Sequence, residues 1–350
     1  MKALVYAGPK QVEVQEVKEP EKQDGKVKLN IRYCGVCGSD IGIYLGTHPR
    51  AKAPLILGHE FLGIVAEDGK KFKKGDRVVP YPLLSCGHCL ACRSGNEHVC
   101  NTLGLIGIDT DGGMCQTVYT DEDVLFKVPD GVSDKAAAVI EPLAVLVHAI
   151  HMSGFEALDT AVVVGAGPIG IMAARWAEIF GAKHVILVDI DEQKTEFAKE
   201  RDLNIVNSLK EDIGDYLEKV TGKKQVDAVI EGTGSSAGFN QSIEYVKPFG
   251  TIALLGNPNK NTEIQLANHS QILRKEINIH GVWNSYYAST PRNEWKYTVE
   301  MMDQEKFKVD DLITHKAPLD QMERLFTDIY QHNITICKAM YSSKEDGKDE

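Results

Sequence analysis

Residues Val162-Val-Val-Gly165-Ala-Gly167-Pro168-Ile169-Gly170 put a G-x-G-x-x-G run directly behind an apolar β-type stretch. A helix-forming stretch, 171–180, follows and ends at Gly181. Few patterns narrow a fold so far, because a strand must run into a tight turn that opens a helix, as at the start of a parallel βαβ unit. The glycines permit that turn and let the backbone approach a pyrophosphate whose charge rests on the helix N-terminus. Asp189, nineteen positions beyond Gly170, ends the next apolar run. A carboxylate there accepts hydrogen bonds from an adenosine ribose and repels a 2′-phosphate, which favours NAD over NADP. Lys194 is a candidate second ribose contact.

The rest of the chain has two textures. Short β-type runs broken by Gly, Pro and Asp fill the first 129 residues, among them 26–32, 61–66, 76–79, 114–119 and 124–128. Such spacing predicts a compact β-rich unit. Past Ala136 the pattern becomes helical, with Glu141-Pro142 ahead of Leu143, Leu146, Val147 and Ile150. Apolar runs at 161–164, 184–188, 226–230, 251–255 and 277–279 then alternate with longer amphipathic segments, the rhythm of a doubly wound parallel sheet. A helix is expected over 294–304, and the charged stretch 342–350 is expected to be disordered.

Cys86, Cys89, Cys92 and Cys100 form a C-x₂-C-x₂-C run with a fourth cysteine close behind. Four thiolates wrap one tetrahedral ion and leave no open position, so this is a structural zinc lobe, residues 86–100. No export signal or bilayer-length apolar run is apparent, so a cytoplasmic chain with reduced thiols is expected, which favours metal over disulfides. The net charge of −11 argues against nucleic acid and anionic membranes as partners. A small-molecule substrate is expected instead.

A second mixed set is scattered along the sequence: Cys37 in Cys37-Gly-Ser39-Asp40, His59 in Gly58-His59-Glu60, and Glu141. Sulfur, nitrogen and carboxylate together suit zinc with an open, catalytic position. Spacing alone leaves each its ordinary role as well, a buried thiol, a turn histidine and a helix N-cap.

These segments, with Gly58-His59-Glu60-Phe61-x-Gly63, Glu141-Pro142-Leu143 and the glycine run, resemble the zinc-dependent medium-chain dehydrogenases, in this order and over nearly the whole chain. The resemblance implies an α/β fold with a GroES-like β-rich catalytic domain (1–145), a Rossmann NAD-binding domain (146–285) and a segment, 286–341, that completes the first. It implies Cys37, His59 and Glu141 as catalytic zinc ligands, with Glu60 able to exchange onto the metal. It also implies NAD contacts from Gly165, Gly167, Pro168, Ile169, Gly170, Asp189, Lys194, Thr233, Leu255 and Val282. Ser39, Tyr44, His48, Trp283 and Asn284 are the implied substrate residues, and a homodimer or homotetramer is implied.

Glu at position 141, rather than Cys, resembles the polyol branch. The segments 79–86, 272–276, 281–286 and 294–295 are similar to galactitol-1-phosphate 5-dehydrogenases. The implied reaction is oxidation of a secondary hydroxyl of a sugar-alcohol phosphate, galactitol 1-phosphate to tagatose 6-phosphate. Zinc acts there as the Lewis acid, NAD takes the hydride and Ser39 takes the first proton. Two positions depart from the pattern. Gly42 stands where many relatives carry a relay histidine, leaving water or His48 to replace it. Asn284 stands where sorbitol dehydrogenases carry an arginine. His48, Arg50, Lys52, Arg274 and Lys275 are candidate phosphate contacts. The alternatives are a dehydrogenase of sorbitol, xylitol or L-threonine, and a zinc-stapled protein that senses NAD without reacting.

Overall fold

The computed structural model describes residues 1–287 and 293–343. The chain divides into two compact units, Met1–Pro142 with the residues from Tyr286 on, and Leu143–Ser285. The first boundary falls inside helix Ile140–Met152, ahead of the expected 145/146, because one continuous helix carries the chain across it.

The first unit is built on a sheet whose strands lie in the order Leu125–Lys127, Arg77–Pro80, Glu60–Val65, Lys26–Gly35, Lys338–Ser342 and Ile313–Ala317. Thr117–Asp121 pairs with the first half of Lys26–Gly35. Strand Lys26–Gly35 alternates Val27, Leu29, Ile31 and Tyr33 into the core, the period of a half-buried strand. Its end is flanked on one side by Glu60, opposite Gly35, and on the other by Met340, also opposite Gly35. Strand Lys338–Ser342 is buried throughout. Ser342, expected to begin a disordered tail, is its last residue, held opposite Tyr33; residues 344–350 of that tail lie outside the described residues.

The second unit is a six-stranded parallel sheet in the order Ile205–Asn207, His184–Asp189, Thr160–Val164, Val226–Glu231, Val246–Leu254, Asn278–Gly281. Its core gathers Val162, Val164, Ile186, Val188, Val229, Ile243 and Ile252. Strands covered on both faces read as unbroken apolar runs, which is why these were visible in the sequence. Helices Glu192–Lys199, Ile213–Thr221 and Ser236–Tyr245 start where Asp191, Asp212 and Ser235 accept a hydrogen bond from a first-turn N–H. Strand order reverses between Thr160–Val164 and Val226–Glu231, the place where sheets of this kind bind their ligands. Among the described residues no helix is long and apolar enough to cross a membrane.

Candidate active site

The four sulfurs of Cys86, Cys89, Cys92 and Cys100 lie within 4.8 Å of one another. Cys89 and Cys92 are 3.4 Å apart, and Cys86–Cys92 and Cys89–Cys100 are each 3.9 Å apart. A ZnS₄ tetrahedron with bonds of about 2.3 Å has edges of about 3.8 Å, so the cage fits zinc. The Cys86 N–H donates to Cys100 Sγ at 3.3 Å. That bond, with one from Thr102, brings the Cys100 thiol down to about 6 and favours the thiolate a metal needs.

A second group in the same unit joins Cys37, His59 and Glu60, again within 4.8 Å. Cys37 sits just before helix Gly38–Tyr44, where Asp40 Oδ2 accepts from the Cys37 N–H at 2.8 Å. His59 leads into strand Glu60–Val65. Burial alone would push the His59 ring down, but Cys37, which hydrogen-bonds it, and the Asp40 and Glu141 carboxylates outweigh that and hold it well above the ordinary histidine range. Burial, and secondarily the Glu60 charge, raises the Asp40 carboxyl. Buried Ser39 Oγ, Asp40 Oδ1 and His59 Nδ1 have no hydrogen-bond partner. A thiol, an imidazole and a carboxylate gathered with unpartnered polar atoms in one buried place form a donor set that a divalent cation would satisfy. Glu141, buried, is close enough to act on His59 but stands outside the tight group, which holds Glu60 in its place.

Sequence reasoning did not find Lys338. It is 5% exposed and ion-paired with Glu60, 1% exposed. Its Nζ also donates to the Val36 carbonyl at 3.1 Å. Burial would lower this lysine, yet the Glu60 and Cys37 charges more than offset that and raise it. A Cβ on Gly35 would lie 2.3 Å from Glu60 Oε2 and 3.0 Å from Lys338 Cε. The pair therefore fits only because Gly35 carries no side chain. No local pattern marks Lys338, since its meaning comes from a strand returning from the far end of the chain.

The expected substrate residues differ in their surroundings. His48 Nδ1 accepts from the N–H groups of Arg50 at 3.3 Å and Ala51 at 3.2 Å. That occupies the nitrogen which would have to take a proton, leaving a neutral ring with its N–H at Nε2. Burial, then the Arg50 charge, lowers His48 further. The geometry thus fits a fixed donor and disfavours a proton relay. Tyr44, buried, packs edge-on against Phe326 and Tyr330, each ring 6.0 Å away. Arg50 is committed to Asp109 at 3.1 Å and to the Leu103 carbonyl at 2.8 Å. Lys52 is exposed. Gly42 has room for a side chain, its nearest neighbour being Thr47 Oγ1 at 3.7 Å.

In the second unit, strand Thr160–Val164 turns at Gly165 (φ +101°) into helix Pro168–Ile179, which contains Ile169. A Cβ on Gly170 would lie 1.8 Å from the Gly165 carbonyl oxygen, whereas one on Gly167 meets nothing within 4 Å. One glycine is needed for packing and the other faces open space, as a pyrophosphate cradle requires. Asp189 Oδ2 accepts from the Ala166 N–H at 2.7 Å, and Lys194 Nζ is 4.0 Å from the same oxygen. A cavity of about 590 Å³ lies at the ends of the last three strands, lined by Glu231, Phe239, Leu255, Ile264, Val282 and Trp283. It joins Leu255 and Val282, and Thr233 adjoins its wall residue Gly234. Asn284 (φ +52°) turns its Oδ1 back onto the Ser285 N–H at 2.9 Å. Lys275 Nζ donates to the carbonyls of Ile243, Glu244 and Val246 and so closes the end of helix Ser236–Tyr245, which commits its three donors there. Arg274 donates to Ser270 on its own helix.

Residues 23–130 match the alcohol dehydrogenase GroES-like domain, and residues 168–304 match the zinc-binding dehydrogenase domain. A zinc-type alcohol dehydrogenase-like protein of Haemophilus influenzae is 34% identical, over 95% of this chain and 96% of its own length. The chain belongs to the zinc-dependent medium-chain dehydrogenases. Within this family, the L-threonine 3-dehydrogenase of Idiomarina loihiensis is 32% identical over 93% of the chain and 95% of its own. The galactitol-1-phosphate dehydrogenase of Escherichia coli superposes with a TM-score of 0.89 at 27% identity, covering 98% of this chain and all of that one. The medium-chain dehydrogenase fold, a GroES-like unit with a parallel-sheet Rossmann unit, accounts for both metal groups and for the glycine turn.

Proposed function

We propose that the chain oxidises a secondary hydroxyl of a sugar-alcohol phosphate, galactitol 1-phosphate, with NAD as hydride acceptor. The observation that carries the dehydrogenase chemistry is the buried Cys37–His59–Glu60 group with the unpartnered Ser39 Oγ beside it. Cys37 and His59 would hold zinc with Glu141, or with Glu60 when Lys338 releases it, and the metal supplies Lewis-acid polarisation of the hydroxyl. Ser39 Oγ would take the hydroxyl proton while releasing its own hydroxyl proton to water, because His48 Nδ1 is closed by backbone donors. His48 Nε2–H orients a substrate oxygen. Gly165, Gly167 and Gly170 seat the pyrophosphate and Asp189 the ribose; Thr233, Leu255 and Val282 surround the nicotinamide end.

Likeness to the E. coli galactitol-1-phosphate enzyme supports the phosphorylated substrate, with Lys52 as its exposed cation. A second reading, an unphosphorylated polyol or L-threonine, is favoured by the commitment of Arg50 and Lys275 to carbonyl oxygens and by the threonine-dehydrogenase relative. Steady-state rates of NADH formation decide between them. The phosphate reading expects kcat/KM for galactitol 1-phosphate to exceed that for galactitol, sorbitol and threonine; equal values with and without phosphate would eliminate it. Strand Asn278–Gly281 is the last of its sheet, and a dimer joined along that edge is proposed, with light scattering as its check.

A further inference from the structure

Glu231 ends strand Val226–Glu231 and lies opposite Val164 at the point where strand order reverses. The residue is 2% exposed. Every hydrogen bond described for its carboxylate comes from one turn: the Thr233 N–H to Oε1 at 2.8 Å, the Thr233 hydroxyl to Oε1, and the Gly234 N–H shared between Oε2 at 3.0 Å and Oε1 at 3.2 Å. The same residue's main-chain carbonyl accepts from Leu255 and Gly256, each at 2.9 Å. The space for this arrangement is kept by Gly238, on which a Cβ would lie 2.5 Å from Thr233 Oγ1 and 2.7 Å from Glu231 Oε1. Thr233 in turn presses its methyl toward the dinucleotide turn: Cγ2 is 3.0 Å from where a Gly165 Cβ would stand.

We infer that Glu231 is a positioning residue for NAD, fixing through Thr233 the height of the Gly165 turn and through its carbonyl the Leu255–Gly256 wall of the cavity. The inference rests on the NAD reading of the glycine turn. A buried carboxylate satisfied by N–H and O–H donors of a single turn holds that turn more tightly than neutral acceptors do. One residue thereby links the loops after two neighbouring strands, at the crest where Thr233, Leu255 and Val282 come together. Sequence patterning gave no sign of it, since the residue reads as the polar end of an apolar strand.

The test is NADH titration of the full chain by fluorescence, with initial rates and melting temperatures beside it. Glu231→Gln puts a donor where the Gly234 N–H is already donating. It is expected to weaken NADH binding roughly tenfold and raise KM for NAD, with KM for the alcohol unchanged. Thr233→Val keeps the branched shape and removes the hydroxyl; the same loss is expected, and the double variant should be no worse than either single one. Thr233→Ser keeps the hydroxyl but loses the methyl that stands toward Gly165, so it should recover only part of the affinity. A Glu231→Gln protein with wild-type NADH affinity and only a lower melting temperature would make Glu231 purely structural and overturn the inference. Additive losses in the double variant would overturn it too. Should Glu231→Gln fail to fold, Thr233→Val and Thr233→Ser carry the comparison. Wild-type protein that binds no NADH would overturn the cofactor reading itself, which keeps the two failures apart.

Discussion

Glu60 and Lys338 stand on strands either side of the one that ends at Gly35, and their side chains meet as an ion pair over that glycine. Two chains separated by a whole strand reach each other because the middle position has no Cβ. Gly35→Ala inserts a methyl 2.3 Å from Glu60 Oε2, so the pair must part or the sheet must shift. A loss of about 1–3 kcal/mol in stability is expected, with a fall in alcohol oxidation, read by denaturant titration and initial rates. Unchanged activity and stability would show that the pair closes elsewhere.

Removing the cation alone separates electrostatics from packing. Lys338→Met leaves Glu60 buried with the metal as its nearest positive charge, so Glu60 should move onto the ion and close the open coordination position. The expected outcome is a fall in kcat of roughly ten- to a hundredfold, about 1.4–2.7 kcal/mol of transition-state stabilisation, with zinc content retained. Lys338→Arg should restore part of the rate. Loss of the catalytic zinc in Lys338→Met would refute this account.

The second unit was more legible in the sequence than the first, for a physical reason. Its strands are covered on both faces and joined by helices, so runs such as Val162–Val164 and Val185–Val188 declare themselves locally. The expected helix at 294–304 matches Glu294–Asp303. In the first unit the decisive neighbours are remote: Lys338 lies 278 positions from Glu60, the difference of the two numbers. The hairpin of Lys2–Gly8 with Gln11–Glu16 was not foreseen. The cysteine lobe was readable because its ligands are consecutive. The packing of Tyr44 was not legible because its partners, Phe326 and Tyr330, arrive on a helix from near the end of the chain.

The four-cysteine lobe should answer for stability before chemistry. Asn96, inside it, accepts the Tyr286 hydroxyl at 2.7 Å, so the lobe also holds the segment that re-enters the first unit. Cys100→Ser is expected to lower zinc content from about two ions per chain to about one. A melting temperature lower by more than about 5 °C should accompany it. Residual protein should keep wild-type NADH affinity. Unchanged zinc content would refute the cage.

The pH profile of a His48 variant separates donor from relay. Burial, then Arg50, holds the ring below its ordinary value of 6.5, so above about pH 6.5 it is neutral and stays so. His48→Ala should therefore lower kcat/KM by about five- to tenfold, the worth of one hydrogen bond, by the same factor from about pH 7 to 9. A relay would make the variant's deficit larger at low pH, and that result would restore it.

Two alanines in the glycine turn distinguish a cofactor seat from a merely tight bend. Gly170→Ala places a Cβ 1.8 Å from the Gly165 carbonyl, a contact that no rotamer relieves, so the turn itself must open. Loss of NADH binding and of stability should go together there. Gly167→Ala is different: its φ of −72° and ψ of −176° suit alanine, and the new methyl meets no protein atom within 4 Å. Stability should stay within about 0.5 kcal/mol of wild type. If the pyrophosphate lies against that open face, however, the methyl stands in its place and NADH affinity should fall by at least about tenfold. A Gly167→Ala protein that melts like wild type and binds NADH like wild type would place the dinucleotide elsewhere, whatever the spacing of the glycines.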